Sequence, residues 1–323
     1  MRIRRGPATV TGRCAPSHRA PPSASQELWP PSPRPGARTP SEDCTHALPR
    51  PRTLLPTRPV VSPAAPARPD EPPRLTGVGM GPGDPELVTV KAVRVLREAA
   101  VIVVPVLDTG ETGRAEATVL HHIEGSGTGG GGAGGGEKIE RIVFALNERE
   151  DRARREAAWD AAGARVAELL REHGSVAFAT IGDPNVYSTF TYLAQTLVPL
   201  LPGLVVETVP GITAMQDLAA RSGTVLAEGT EPLTLVPVTA GSDVLRDALA
   251  GPGTVVAYKF GRLAAQVGEA LRETGRDGSA VWGSALGLPD ERIRPAGHPL
   301  EGPLPYLSTL IAPATRTRRG GKL

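Results

Sequence analysis

Two short segments hold the residues best suited to ligand chemistry: Gly77-Val-Gly-Met-Gly-Pro-Gly-Asp-Pro-Glu86 and Thr180-Ile-Gly-Asp-Pro-Asn-Val-Tyr-Ser-Thr189. A glycine-rich turn ahead of a helix is a common way to offer backbone N–H groups to a phosphate. The first segment fails that test in every register. For the spacing G-x-G-x-x-G, a start at Gly77 ends on Pro82, a start at Gly79 ends on Asp84, and a start at Gly81 ends on Glu86. It also lacks the lysine and hydroxyl of a P-loop, and in the later glycine tract Glu137 separates the last glycine from Lys138. Asp84 and Glu86 put carboxylates where a phosphate needs bare donors and positive potential. The loop suits a cationic or zwitterionic ligand, or is a tight junction with an aspartate cap and no ligand.

The second segment repeats the device. Gly182 lets backbone approach closely, and Asp183 can either cap a helix or accept hydrogen bonds from an amine or a ribose hydroxyl. Val209-Pro-Gly-Ile-Thr-Ala214 is a third turn of this kind, with Gly211 available for a positive φ and Thr213 for a cap. Each of these is also an ordinary cap. Three of them on one edge of a sheet imply a shared cleft.

The surrounding pattern predicts how they are positioned. Strands are expected at Leu75–Met80, Val101–Val106, Ile139–Leu146, Ser175–Thr180, Leu204–Val209, Leu233–Val238 and Thr254–Lys259, with two more near Ala280–Leu286 and Tyr306–Ala312. Helices are expected at Asp84–Ala100, 112–123, Asp151–His173, Pro184–Leu200, Thr213–Ser222, Asp243–Ala250 and Leu263–Thr274. Their alternation argues an α/β fold with a mainly parallel sheet, in which ligands collect at the carboxyl ends of strands.

Composition removes other functions. A net charge of +2 and an aromatic content of 3% give neither the basic excess nor the stacking surface of a nucleic-acid binder. Cys14 and Cys44 both precede the regular pattern, so the predicted fold has no thiolate metal site, cysteine nucleophile or disulfide frame. No metal-ligand set is expected. No apolar run reaches the roughly 20 residues of a membrane span, and a reducing cytoplasm is the expected compartment. Residues 1–73 hold about half of the 34 prolines and read as a disordered extension. Residues 125–136 read as a flexible glycine insertion, and 316–323 as a disordered tail.

The series from Gly79 to Ala92, then Gly182-Asp183-Pro184, then Val209-Pro210-Gly211-Ile212-Thr213, resembles the ordered signatures of the tetrapyrrole methylase superfamily. The resemblance runs from about Leu75 to about Ala314. Within the superfamily, Gly182–Thr189 and Pro305-Tyr306-Leu307-Ser308 are most similar to the branch that methylates C20 of precorrin-2. It implies two α/β domains, here 74–211 and 212–315, with S-adenosylmethionine in the cleft between them, and a homodimer. Matching motif positions implies cofactor contacts at Pro82, Ile181, Gly182, Asp183, Val186, Thr213, Ala214, Lys259 and Gly287, with Gly81, Gly83 and Asp84 beside the tetrapyrrole.

The reaction so implied is methyl transfer from sulfur to a macrocycle carbon. The enamine-like ring is its own nucleophile, and a base takes the proton left behind. Siroheme-type relatives carry an aspartate directly after the second strand; this chain has Val104-Pro105-Val106 there and Asp108 later. Asp108 and Tyr187 are the candidate bases, although Tyr187 also reads as a side chain packed on the sheet. A carboxylate-rich substrate calls for cations. Arg149, Arg152, Arg154 and Arg155 alternate with acids and read as a solvated face, whereas Lys259 and Arg262 flank a strand end, and Arg262 is assigned to the substrate. The alternatives are another acceptor (cobalt-factor II, another corrin position, uroporphyrinogen III) and a non-catalytic ligand-binding subunit.

Overall fold

The computed structural model describes residues 71–107, 112–124, 138–144, 152–239, 241–296, 300 and 303–318. The readings of the glycine tract, of Asp108 and of nearly all the extension lie outside the described residues, and the tail is described only to Arg318.

The first sheet comprises β1 (Arg74–Gly79), β2 (Val101–Val106), β3 (Ile139–Val143), β4 (Ser175–Thr180) and β5 (Val205–Val209), in the order β3-β2-β4-β1-β5. Every ladder is parallel. Period-two alternation sorts the strand side chains between two helix layers. Leu75, Val101, Val103, Val176 and Phe178 pack against α3 (Arg152–His173) and α4 (Phe190–Leu200). Val78, Ile102, Val104, Ala177 and Ala179 pack against α1 (Val90–Glu98) and α2 (Arg114–Glu124). Both faces are therefore apolar, as an all-parallel sheet requires. A fully buried side chain such as Phe178 or Leu193 contributes about 1.5–3 kcal/mol of transfer free energy.

The second sheet comprises β6 (Leu233–Pro237), β7 (Thr254–Tyr258), β8 (Val281–Ser284), β9 (Arg292–Pro295) and β10 (Thr309–Ala312), in the order β6-β7-β10-β8-β9. Only β6 and β7 run parallel; the other three ladders are antiparallel. The expectation of mainly parallel sheet thus fails for this half. Strand β9, Arg-Ile-Arg-Pro, was not foreseen: it is a short polar edge strand ending in proline and has little apolar alternation to reveal it. Helix α5 (Ala214–Ser222) covers one face through Leu218 and Ala219. Helices α6 (Asp243–Ala250) and α7 (Ala264–Glu273) cover the other.

Two expected helices begin late, for local reasons. Asp84 accepts from the backbone at Glu86 N, at 2.9 Å, and supports a single 3-10 turn, Pro85–Leu87. Val88 is extended, and Thr89 caps α1 by accepting from Ala92 N at 3.2 Å. Likewise Pro184 to Thr189 is not helical; Ser188 Oγ accepts from Phe190 N at 3.1 Å where α4 starts. Lys138, the residue that mimicked a P-loop lysine, donates to Leu96 O, Arg97 O and Ala99 O at the end of α1. A cation there satisfies orphan carbonyls and the helix dipole. In the tail, Arg316 pairs with Glu231, so that residue is engaged with the fold.

Candidate functional site

The three motif loops leave adjacent strands at one edge. Pairing of Gly79 with Thr180 and of Val78 with Val209 sets the ends of β4, β1 and β5 level. Gly182 N donates to Gly81 O at 2.7 Å in an isolated bridge, and Gly211 N donates to Asp183 Oδ2 at 3.0 Å. A Cβ on Gly211 would stand 2.1 Å from Gly182 O and 2.8 Å from Gly79 Cα, so only glycine lets these backbones interlock. Gly182 is different. Its φ is 70°, and a Cβ there would meet nothing within 4 Å, so one side of this loop faces open space.

Asp183 is not a helix cap. Its Oδ1 accepts from Asn185 N at 2.8 Å, closing a turn of its own, while Oδ2 ties the loop to Gly211. Asn185 Nδ2 donates to Thr208 Oγ1 on β5 at 3.2 Å, and Thr180 Oγ1 lies 2.9 Å from Ser188 Oγ. The loop is therefore held at both ends. Ile181 and Val186 are half-buried on it, and Tyr187 is 42% exposed.

The glycine-rich loop faces the second half of the chain. Gly81, Pro82 and Gly83 are buried. A Cβ on Gly83 would lie 2.3 Å from Leu286 O, and one on Gly287 would lie 2.2 Å from Asp84 N. Asp84 Oδ2 pairs with Arg221 at 3.2 Å, and Arg221 also reaches Asp217 at 2.7 Å and Glu291 at 3.2 Å. Glu291 in turn accepts from Gly287 N at 2.7 Å. Of the residues expected beside the tetrapyrrole, Gly83 and Asp84 thus also contact the second half, while Gly81 bridges to Gly182. Arg221 gave no sequence signal, because it meets Asp84 across 137 positions.

From the second half come side chains. Thr213 opens α5 with a capping box, its N donating to Gln216 Oε1 at 2.9 Å, and Ala214 follows it half-buried. Tyr258 Oη accepts from Met215 N at 3.1 Å. Lys259 Nζ donates to Tyr187 O at 3.2 Å and lies 5.8 Å and 5.6 Å from the ring centroids of Tyr187 and Tyr306. The Tyr187 and Tyr258 rings stand edge to face at 5.7 Å. Tyr258 and Tyr306 were missed by sequence reasoning; their hint was scarcity, since three of the chain's 4 tyrosines meet here. Arg262 is exposed nearby in sequence. The arginines of α3 do not join the site: Arg152 pairs with Glu156, and Arg154 and Arg155 have partners too.

Among the described residues, the non-glycine positions with positive φ are Tyr187 (51°), Lys259 (59°) and Ala285 (51°). They follow β4, β7 and β8, all at strand carboxyl ends. Strain of this kind collects at ligand sites. Burial pushes the phenols of Tyr187 and, more deeply, Tyr258 above the ordinary tyrosine value. Both enter any chemistry as neutral O–H groups, and Tyr187 Oη donates weakly to Leu235 O at 3.4 Å.

The interlocked glycine loops of the parallel sheet and the side chains of the mixed sheet thus form one candidate ligand site. A family model described as Tetrapyrrole (Corrin/Porphyrin) Methylases matches residues 74–297, and the chain belongs to that family. It is 30% identical over 250 residues to the cobalamin biosynthesis protein CobIJ of Mycobacterium tuberculosis, covering 76% of this chain and 46% of that protein. The chain therefore spans about half the length of that relative. It is 30% identical over 255 residues to the precorrin-2 C(20)-methyltransferase of a Sinorhizobium species, covering 76% of this chain and 97% of that one. Among solved structures, the uroporphyrin-III C-methyl transferase of Thermus thermophilus complexed with S-adenyl homocysteine shares the fold. The TM-score is 0.51 at 23% identity, over 74% of this chain and 97% of that one. No helix among the described residues is long and apolar enough to cross a membrane.

Proposed function

We propose that the chain transfers a methyl group from S-adenosylmethionine to C20 of precorrin-2 in cobalamin biosynthesis. The observation that carries the reading is the open face of Gly182 beside two loops whose backbones are locked together. The similarity to a precorrin-2 C(20)-methyltransferase over nearly that protein's whole length supports the choice of acceptor.

The residues present fit the donor. Gly182 leaves space where a side chain would otherwise stand. Pro82, Ile181, Gly182, Asp183, Val186, Thr213, Ala214, Lys259 and Gly287 are the residues that would hold it. When bound, S-adenosylmethionine supplies an electrophilic methyl on a sulfonium. The chain's own residues position the reactants and keep water out, since the macrocycle carbon is the nucleophile. Asp183, Gly211 and Asn185 fix the loop that does the positioning. Gly81, tied to Gly182, and Gly83 and Asp84, set against the second half, would stand beside the macrocycle, and Arg262 would serve the same substrate. Tyr187 lends its ring to the cleft wall; a phenol that burial keeps neutral is poorly suited to be a base.

The test is incubation of the purified chain with S-adenosylmethionine and precorrin-2, with and without cobalt, followed by mass analysis. One added methyl is expected. Gain only on the cobalt-loaded macrocycle would move the acceptor to that form. No gain with either rejects the C20 reading while leaving the family intact.

A further inference from the structure

Among the described residues, one cation seated between aromatic rings has no carboxylate partner. Several other cations are spent on acids: Arg141 on Glu116, Arg165 on Glu140, Arg221 on Asp84, Asp217 and Glu291, Arg246 on Glu273, and Arg316 on Glu231. Lys138 caps a helix and Arg276 donates to three backbone carbonyls. Lys259 has no carboxylate among the described residues; its ammonium donates to Tyr187 O. Two tyrosine rings, Tyr187 and Tyr306, flank its ammonium. Ring faces steady a cation without neutralising it, and an ammonium has three donors, so donors remain for a ligand.

The backbone points the same way. Lys259 sits at φ 59°, a conformation that glycine adopts freely and lysine does not. Its N–H is bound to Ser308 O at 3.2 Å, which holds the strained residue in place at the end of β7. Strain held in this way fixes where the side chain starts, and the rings on either side limit where it ends. The neighbouring elements, the loop after β4 and the segment before β10, therefore build a seat around a charge that no carboxylate among the described residues pairs with.

We propose that Lys259 is a docking cation for a ligand carboxylate, with Tyr187 and Tyr306 as the residues that position it. The inference rests on the methyltransferase reading of the same cleft. Two ligands there carry carboxylates: the amino-acid end of the methyl donor and the side chains of the macrocycle. Their shared chemistry is what Lys259 recognises.

The experiment measures binding to the full chain and to Lys259→Met and Lys259→Arg. The probes are S-adenosylhomocysteine, 5′-methylthioadenosine (which lacks the amino-acid end) and uroporphyrin. A charge-assisted hydrogen bond predicts a loss of roughly ten- to a hundredfold in Lys259→Met, largely recovered in Lys259→Arg. Loss confined to S-adenosylhomocysteine, with 5′-methylthioadenosine unchanged, assigns Lys259 to the donor. Loss confined to uroporphyrin assigns it to the macrocycle. Unchanged affinity for both overturns the proposal and leaves the methyltransferase reading standing. A wild-type chain that binds none of the three overturns that reading and this one with it. Should Lys259→Met not fold, salt titration of the wild type decides: affinities for S-adenosylhomocysteine and uroporphyrin that both ignore salt overturn the proposal.

Discussion

The five parallel strands of the first sheet and the mixed strands of the second bring different material to the same cleft. In the first sheet every strand ends at one edge, so the loops after β1, β4 and β5 meet there and interlock through glycine backbones. In the second, β10 runs against β7, and pairing of Thr309 with Tyr258 makes a loop that enters one strand lie beside a loop that leaves another. That is how Tyr306 arrives next to Lys259. The parallel half thus offers main-chain shape, and the mixed half offers side chains: Tyr258, Lys259 and the Arg221 network. Glycine substitutions in the first half are expected to damage the fold and the site together, and substitution of Lys259 in the second to separate them.

The largest effect belongs to Gly211→Ala. Its new methyl group would meet Gly182 O and Gly79 Cα, both backbone atoms that no rotamer change can move. A loss of about 3 kcal/mol or more is expected, toward the upper end for overpacked sites, read as a lower denaturant midpoint. A wild-type midpoint would show that the loops slide and that backbone locking is not what the parallel half contributes.

Arg221→Met is expected to come next, at about 2 kcal/mol. That is below the ~3–5 of a fully buried pair because the Arg221 side chain is 30% exposed, although its partner Asp217 is only 4% exposed. Among the described residues Asp217 Oδ2 already has no partner, so removing the guanidinium takes away the support of the carboxylate. The glycine-rich loop should also loosen through Asp84, seen as faster amide exchange around residues 81–87. Unaltered exchange there would mean that Arg221 does not hold the two halves together. Gly182→Ala is milder. It meets no protein atom but takes a positive φ, costing about 1–2 kcal/mol. Its methyl group enters the open space, so S-adenosylhomocysteine affinity should fall at least about tenfold; full affinity would remove Gly182 from the donor site.

Much of the first half was legible because its signals are local. Alternating strands and helices place loops on one edge, and Gly-Asp-Pro at a strand end marks a turn wherever it occurs. What the sequence concealed was long-range or antiparallel. Nothing near Arg221 announces Asp84, and Arg292–Pro295 becomes a strand only because β8 is there to pair with it. The breaks at Val88 and at Pro184–Thr189 were concealed for another reason: both follow an Asp-Pro that starts a helix as readily as it closes a turn, and the choice falls to Thr89 and Ser188 further on. Lys259 was placed at a strand end correctly, but its left-handed backbone and its two rings depend on β10 and on the loop after β4.

The smallest effect is expected at Tyr187, where the two halves touch. Phenylalanine there keeps the ring beside Tyr258 and Lys259 and removes only an O–H whose bond to Leu235 O is long, at 3.4 Å. Stability should change by no more than about 0.5 kcal/mol, and S-adenosylhomocysteine affinity should hold. Because burial keeps the phenol neutral, the rate of methyl transfer should stay within a few-fold of wild type. A fall of roughly a hundredfold with binding intact, the scale of a lost general acid or base, would make Tyr187 a proton carrier in the reaction. The first half would then contribute chemistry as well as shape, and the division between backbone and side chains would no longer follow the two sheets.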